Sequence, residues 1–188
     1  MDSNGSNTTA AAAVLAAAKH LVLKQTMATI LGGTGPVGFR VAQILLDQGA
    51  TVRLGSRTLD KSTAACELLT NPETVGRITP HATAGRESLL AACSGSQVIF
   101  GAGAAGVELL DEQTLFGLTG LKVAIDLNAV APAGLGGIGI MDKAVDKRGV
   151  LCYGAIGVGG TKMKIHKAAL AELFTSNDSV LDTARIFT

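Results

Sequence analysis

The sequence predicts an α/β fold: a doubly wound, parallel, six-stranded sheet with strand order 3-2-1-4-5-6, preceded by an N-terminal helix. Two observations lead to this prediction. Short apolar runs of strand length alternate with helical patterns along the 188 residues, as they do in α/β proteins with parallel sheets. Glycine-rich turns follow the first, fourth and sixth of these runs, at the end of the sheet where such folds bind their ligands.

The first strand, turn and helix form the most informative stretch. Residues 28–31 are an apolar run of strand length, and residues 51–54 are a second one. Between them lies an amphipathic helical pattern that ends at Gly49. That helix opens on a G-x-G-x-x-G motif, Gly33-Thr34-Gly35-Pro36-Val37-Gly38. Strand, glycine turn, helix and strand in this order are the context that the dinucleotide-binding motif of Rossmann folds requires.

The motif has physical reasons to bind a dinucleotide, and all six of its residues are expected at the cofactor. Gly33 allows a tight turn, and Gly35 lets the main chain approach a pyrophosphate without an intervening Cβ. Gly38 permits close packing of the helix on the sheet, and Pro36 suits a first helical turn. Free N–H groups and the helix dipole attract phosphate here. The alternative is a glycine turn kept only for packing.

The end of the second strand indicates which dinucleotide is bound. Folds that bind NAD usually have an acidic residue here, which accepts a hydrogen bond from the ribose 2′-hydroxyl. This sequence instead has Ser56 and Arg57, with Lys61 one helical turn further on. A hydroxyl and two cations suit a 2′-phosphate, so NADP is favoured, with NAD as the alternative. Asp60 is expected to cap the next helix. Arg57 and Lys61 have an alternative role as an ordinary solvated helix start.

The remaining elements have weaker patterns. Further strands are predicted at residues 77–82, 97–100, 123–125 and 150–153. Pro80 makes the first of these short or places it at an edge. Further helices are predicted at residues 10–23, 60–69, 87–93, 142–148 and 161–174. Asn7 or Thr8 is a candidate cap for the N-terminal helix. The polar residues before that helix are either a disordered leader or a turn that lies beside the cofactor.

Loops after the later strands are candidates for the rest of the cofactor site. The small residues that follow the fourth strand, Ala102, Gly103 and Ala104, would let a flat ring approach the sheet edge. Asn128 follows the fifth strand and is expected at the cofactor, although capping of a local turn by Asp126 and Asn128 is an open alternative.

Two more glycine-rich segments follow in the sequence. The long loop 129–139 is typical of an active site. Gly157, in the glycine-rich segment 154–160 after the sixth strand, is also expected at the cofactor.

Composition predicts a single domain, with a leading turn and helix at residues 1–26 and a dinucleotide-binding core at 27–188. Apolar residues make up 47% of the chain and charged residues 16%, which suits a sizeable core. A net charge of +1 gives no electrostatic case for nucleic acid or an anionic membrane as partner.

Cys66, Cys93 and Cys152 are far apart, so neither a disulfide nor a metal site is expected. The sequence lacks both a basic secretory leader and an apolar run of membrane-spanning length, which favours a cytoplasmic protein.

Two stretches outside the dinucleotide motif are distinctive: DSNGSNTTAAA at residues 2–12 and GAIGVGGTKMKIHKA at residues 154–168. Both resemble the methylene-tetrahydromethanopterin dehydrogenases of one-carbon metabolism. The shorter segments GGTGPVGFR, SRTLDK, GAGAAGVELL and GGIGIMDK fall in the order expected for that family. The resemblance covers essentially all of the chain.

This resemblance implies a reaction, a substrate and one catalytic side chain. The reaction is oxidation of a methylene bridge on a tetrahydropterin to the methenyl form, with hydride transfer to NADP⁺ or, in some members, NAD⁺. The two nitrogens that flank the bridge carbon share the resulting cation, so positioning supplies most of the rate. Lys162 is the residue carried over from the family, as a polar group at the hydride-transfer cleft. Its alternative is a solvated helix-start lysine. Family members are homo-oligomers.

One departure from the family leaves the functional assignment open. Family members carry a further domain before the DSNGSN segment, so this chain is expected to be either a truncated form or a free-standing cofactor domain. A methylene-tetrahydrofolate dehydrogenase is an alternative enzyme, because the two pterin carriers differ mainly far from the bridge. A non-catalytic NADP-binding or oligomerisation module is an alternative from a different class.

Overall fold

One seven-stranded sheet forms the centre of the computed structural model, which describes residues 5–173 and residue 187. The sheet order is β3-β2-β1-β4-β5-β7-β6. Six strands are parallel, and only β6 runs antiparallel, against β7. The strands are β1 Met27–Leu31, β2 Thr51–Ser56, β3 Ile78–Ala82, β4 Val98–Gly101, β5 Val123–Asp126, β6 Lys143–Lys147 and β7 Val150–Tyr153. The predicted doubly wound α/β fold and its order of parallel strands are confirmed; the predicted number of strands was one too few.

The helices cover both faces of this sheet. They are α1 Ser6–Ala18, α2 Pro36–Asp47, α3 Leu59–Leu69, α4 Arg86–Cys93, α5 Glu112–Gly117 and α6 Ala155–Leu173, with a 3₁₀ turn at Leu23–Gln25. Alternate residues of a strand face opposite layers. Val98 and Phe100 of β4 lie in the core under α1, α2, α3 and α6, whereas Ile99 lies in the core under α4 and α5. None of the helices in the described part of the chain is long and apolar enough to cross a membrane.

The additional strand corrects the helix predicted at residues 142–148. Arg148 and Gly149 both have positive φ, 56° and 83°, and they join Lys147 to its partner Val150. A two-residue turn with two positive φ values is the turn that matches the twist of a β-hairpin. Asp146 accepts a hydrogen bond from the Gly149 N–H at 2.9 Å, which stabilises that turn. The segment therefore folds back as an edge strand.

Helix α1 begins and ends earlier than the predicted span of residues 10–23. Gly5 is its N-cap, with φ 67°, a conformation that glycine adopts without strain. Its carbonyl accepts hydrogen bonds from the hydroxyls of Thr8 and Thr9, at 3.1 and 2.8 Å. Asn7 and Thr8 are buried helical residues and not caps. The helix packs against both α2 and α6, and its alanine side chains permit this close approach.

Helix α6 also begins earlier than predicted, at Ala155 in place of residue 161. Glycine makes this possible, because a side chain on Gly157 would overlap the carbonyl oxygen of Asp142. The N–H groups of Ile156 and Gly157 both lie within hydrogen-bonding distance of the Ile140 carbonyl oxygen, at 2.9 and 3.3 Å. The glycine-rich segment is thus a helix start packed on a turn, and not a loop. The predicted helix end at residue 174 lies outside the described residues.

Buried polar and thiol groups fit the core. The hydroxyl of Tyr153, which is 3% exposed, lies 2.6 Å from Nε2 of His20. Cys66, Cys93 and Cys152 are buried and unpaired. Burial raises the pKa of these thiols to about 11, about 12 and about 11, respectively, so they stay protonated and unreactive at neutral pH.

Candidate functional site

A cleft of about 400 Å³ lies at the carboxyl edge of the sheet, where the loops after β1, β2, β3 and β4 meet. In a doubly wound sheet this edge is the usual place for a ligand. Ser56, Arg57 and Lys61 form what we call its polar side, and Val107 and Leu109 belong to its apolar side. Its lining residues are Gly32, Thr34, Gly35, Pro36, Ser56, Arg57, Lys61, Thr83, Ala102, Gly103, Ala104, Val107 and Leu109. Most of the residues predicted at the cofactor are therefore brought together here.

The floor of the cleft consists of main chain from two loops. Gly32 has φ +75°, and a Cβ on it would lie 2.7 Å from both the Cα and the N of Gly103. The N–H of Ala102 donates to the Leu31 carbonyl at 2.8 Å, which fixes the β4 loop beside the β1 loop. The motif predicted the tight turn at Gly33, but in the structure Gly32 is the residue with positive φ.

The glycines of the motif divide into two groups. Gly35 lines the cleft, and the nearest atom to a Cβ on it would be the Gly32 carbonyl oxygen at 3.5 Å. Gly33 and Gly38 lie behind the lining. A Cβ on Gly33 would overlap Leu54, and a Cβ on Gly38 would lie 2.8 Å from the Gly32 carbonyl oxygen. The missing side chain at Gly35 leaves the main chain open to a ligand, whereas at Gly33 and Gly38 it lets α2 pack onto the sheet.

The start of α2 lies at this cleft, because Gly35 and Pro36 belong to its lining. Pro36 is the first helical residue, and the chain before it is extended at Gly35. A helix start leaves its first N–H groups without intrahelical acceptors, which here include those of Val37 and Gly38. In the second turn of α2, the guanidinium of Arg40 donates to the Pro36 carbonyl at 2.8 Å and to the side-chain oxygen of Asn7. That second contact also joins α1 to α2.

The polar side of the cleft carries positive charge without a partner. Ser56 ends β2, Arg57 follows it, and Lys61 lies in the first turn of α3. Within residues 5–173, the side chains of Arg57 and Lys61 make no hydrogen bond and no ion pair. Other arginines are engaged: Arg53 donates to carbonyls at the end of α4, and Arg77 to carbonyls at the end of α2 and in the loop after it. Arg57 and Lys61 are therefore available to an anion.

Some of the residues that line the cleft were not predicted from the sequence. Thr83, from the loop after β3, lines the cleft beside Ser56, whose carbonyl accepts a hydrogen bond from its N–H at 2.8 Å. Val107, 48% exposed, and Leu109 line the apolar side. No residue pattern singled out these side chains, and the proximity of strand ends brings them to the site. Asp60 lies in the first turn of α3 and is not its cap, because Thr58 occupies the N-cap position, without a side-chain capping bond.

Asn128 is not among the lining residues and is engaged locally. Its amide donates to the Pro132 carbonyl at 3.0 Å, and its side-chain oxygen accepts from the Val130 N–H at 3.0 Å. Asp126 is 2% exposed and accepts from the N–H groups of Asn128, at 3.1 Å, and Gly134, at 2.8 Å. Burial raises the pKa of Asp126, partly offset by these bonds. The arrangement matches the local turn-capping alternative.

Lys162 and Gly157 lie on α6, away from the cleft lining. Gly157 packs against Asp142, as described above, and leaves no open surface toward a cofactor there. The ammonium of Lys162 lies 3.4 Å from where a Cβ on Gly5 would stand, beside the start of α1. Because Asn7 contacts Arg40 in the second turn of α2, this start lies at the same end of the fold as the cleft. Residues 1–4 of the polar leader are outside the described part of the chain.

Comparison with known proteins gives one strong sequence match. The chain is 41% identical over 189 residues to the bifunctional protein MdtA of Methylorubrum extorquens. The match covers 100% of this chain and 65% of that relative, so the chain spans less than two thirds of the relative's length. No protein-family model matches the chain.

Solved structures with the same fold have low sequence identity. A transhydrogenase from Sinorhizobium meliloti has a TM-score of 0.65 at 15% identity, over 91% of this chain and 54% of that one. An L-alanine dehydrogenase has a TM-score of 0.59 at 14% identity, over 91% and 55%. A dipicolinate synthase from Bacillus subtilis has a TM-score of 0.57 at 19% identity, over 91% and 53%. These likenesses show the Rossmann-type fold.

Proposed function

We propose that this chain is an NADP-dependent methylene-tetrahydromethanopterin dehydrogenase, or the cofactor-binding part of one. The observation that carries the proposal is the pair of unpartnered cations, Arg57 and Lys61, beside a cradle of glycine main chain. The relative that is 41% identical over the whole chain and the dehydrogenases among the structural neighbours support an oxidoreductase. The motifs at residues 2–12 and 154–168 support the pterin substrate.

The residues of the cleft fit a dinucleotide. Gly35 and Pro36 line it where the N–H groups of α2 begin, and a pyrophosphate bound there would meet the positive end of the helix dipole. Because Gly35 has no Cβ, the main chain stays open to the phosphate oxygens. Gly33 and Gly38 contribute indirectly, by holding the turn and helix against the sheet.

The polar side of the cleft favours NADP over NAD. Arg57 and Lys61 would pair with the ribose 2′-phosphate, and the hydroxyl of Ser56 would donate to it. Guanidinium and phosphate form charge-assisted, bidentate bonds. The lining includes no acidic residue that would accept from a ribose diol or repel the phosphate. Sites for NAD usually have an acidic residue at this position, whereas this lining has two cations there.

The proposed hydride transfer requires the protein mainly to position the pterin against the cofactor. A nicotinamide held in this cleft would supply the acceptor for a hydride from the methylene carbon of the pterin. The main chain at Ala102, Gly103 and Ala104 would hold the cofactor close to the sheet edge. Lys162, beside the start of α1, would donate a hydrogen bond to a pterin oxygen and orient the substrate. Such orientation supplies much of an enzyme's rate.

A non-catalytic NADP-binding module is the second candidate. It is favoured by the position of Lys162, which lies beside Gly5 and not in the lining of the cleft. Such a module would bind the cofactor without excluding water or holding a pterin in place. In that case Lys162 has no substrate to orient, and the cofactor site alone is functional.

The experiment combines turnover with binding. The full chain is mixed with NADP⁺ and methylene-tetrahydromethanopterin, and reduced nicotinamide is followed by its absorbance. NAD⁺ and methylene-tetrahydrofolate are substituted in parallel assays, and both nucleotides are titrated by calorimetry. Turnover with the methanopterin carrier supports the dehydrogenase, whereas turnover with folate alone supports the folate enzyme. Saturable NADP⁺ binding without turnover supports the module. A chain that binds neither nucleotide contradicts all three.

A further inference from the structure

Thr83 stands at the carboxyl end of β3, directly beside the residues assigned to the 2′-phosphate. Strand β3 pairs in parallel with β2, so that Ser56 lies opposite Ala82. The next residue continues this pairing, since the N–H of Thr83 donates to the Ser56 carbonyl at 2.8 Å. This main-chain bond thereby fixes the position of Thr83 relative to Ser56.

The two branches of the Thr83 side chain have different surroundings. Its methyl carbon Cγ2 lies 2.9 Å from where a Cβ on Gly55 would stand, so the methyl packs over the Gly55 main chain. The hydroxyl makes no hydrogen bond with any residue of the described part of the chain. Thr83 also lines the cleft together with Ser56, Arg57 and Lys61. An anchored side chain with an unused donor therefore borders a site that has two unused cations.

We infer that Thr83 is a further specificity residue, whose hydroxyl donates a hydrogen bond to the 2′-phosphate of the bound cofactor. This inference rests on the proposed binding of NADP. A phosphate is a charged acceptor, and hydrogen bonds to charged groups are roughly twice as strong as those between neutral groups. Loss of the hydroxyl should therefore weaken binding of NADP⁺ and leave binding of NAD⁺ nearly unchanged.

The test uses variants of the full chain that separate the hydroxyl from the shape of the side chain. Thr83→Val removes the hydroxyl and keeps the methyl that packs on Gly55, whereas Thr83→Ser keeps the hydroxyl. Calorimetric titration should show about a tenfold loss of NADP⁺ affinity for Thr83→Val. NAD⁺ affinity should stay within about twofold, and Thr83→Ser should bind NADP⁺ like the wild type. Thr79→Val, on the same strand outside the cleft, should bind both nucleotides normally.

A second variant serves if the valine substitution perturbs folding, which thermal melting would reveal. Thr83→Asp places a carboxylate beside the phosphate site, and it should lower NADP⁺ affinity by at least about a hundredfold through like-charge repulsion. Equal losses for both nucleotides, or no loss for NADP⁺, would overturn the role of Thr83 while leaving NADP binding intact. A wild-type chain that binds neither nucleotide would overturn the proposed function itself, and the role of Thr83 with it.

Discussion

The main chains of Gly32 and Gly103 touch at the floor of the cleft, so that a Cβ on Gly32 would lie 2.7 Å from the Cα and N of Gly103. Two loops that are about 70 residues apart along the chain thus form one surface. The separation between strands β1 and β4 fixes this contact, because the two strands are adjacent in the sheet. Any side chain at Gly32 must push the loops apart.

Gly32→Ala should therefore destabilise the fold and abolish nucleotide binding. The substitution combines strain at φ +75° with steric overlap, and we expect a loss of about 2–4 kcal/mol in the free energy of unfolding, measured by urea denaturation. Gly95→Ala is the matched control. Gly95 has a similar φ of +70° but no atom within 4 Å of its Cβ position, so it isolates the strain and should lose only about 1 kcal/mol. Equal losses for the two variants would show that the loops can separate freely.

Arg57→Ala should reverse or remove the preference for NADP⁺. We expect NADP⁺ affinity to fall by about 10- to 100-fold, because a charge-assisted phosphate contact is lost, while NAD⁺ affinity changes little. Titration of both nucleotides measures this difference. Arg86→Ala removes an arginine that does not line the cleft and should bind both nucleotides normally. If Arg57→Ala weakens both nucleotides equally, Arg57 does not contact the 2′-phosphate.

Lys162→Ala should lower turnover and leave NADP⁺ affinity unchanged. Lys162 lies beside Gly5, outside the cofactor cleft, so its loss should affect placement of the pterin and not of the nucleotide. Loss of one positioned donor costs about 10²- to 10³-fold in kcat, as measured by steady-state kinetics. Lys164→Ala, two residues along the same helix, supplies the control for a change in charge. A normal rate for Lys162→Ala would return this residue to the role of a solvated lysine.

Asp126→Asn should have a pH-dependent effect on stability. Burial raises the pKa of Asp126 in the folded chain, so its protonated form contributes stability below the unfolded value of about 3.9, and this contribution is lost as pH rises through the folded value. The stability gap between wild type and Asp126→Asn should therefore be largest in acid, at about 1–2 kcal/mol, and should narrow as pH rises. Urea denaturation at several pH values measures it.

Asp111 gives the opposite slope and serves as an internal control. Hydrogen bonds from the side chain and backbone of Thr114 lower its pKa in the folded chain. Its contribution to stability is therefore present above the unfolded pKa and lost as pH falls through the folded value. The gap between wild type and Asp111→Asn should widen as pH rises. Parallel slopes for the two aspartates would contradict these assignments.

Local sequence predicted the first half of the fold well, and long-range packing decided the rest. The strand, glycine turn and helix of residues 27–47 have strong periodicity and a short-range motif, so their structure follows from neighbouring residues. In residues 142–148 the hairpin depends on positive φ at Arg148, which few residue types signal. Likewise the glycines after Tyr153 resemble a loop, although their lack of side chains serves helix packing.

The candidate site was predictable at the glycine motif and in the segments that follow the second and fourth predicted strands, and less so elsewhere. Ser56, Arg57 and Lys61 follow a strand whose pairing with β1 was evident, so their position at the cleft could be anticipated. Thr83 and Val107 reach the cleft through strand order and not through sequence spacing. Asn128 has the side chain of a ligand-binding residue, yet its local hydrogen bonds became apparent only in three dimensions.

Helix α1 lies between helices α2 and α6 and sets the distance between them. It contacts α2, whose start faces the proposed phosphate site, and α6, which carries Lys162. Its buried alanines, including Ala13, are of the size that permits a short distance between packed helices. A leucine in place of Ala13 would drive the two helices apart and lengthen the reach from lysine to cofactor. Catalytic geometry in this protein would thus be set by side chains that touch neither nucleotide nor substrate.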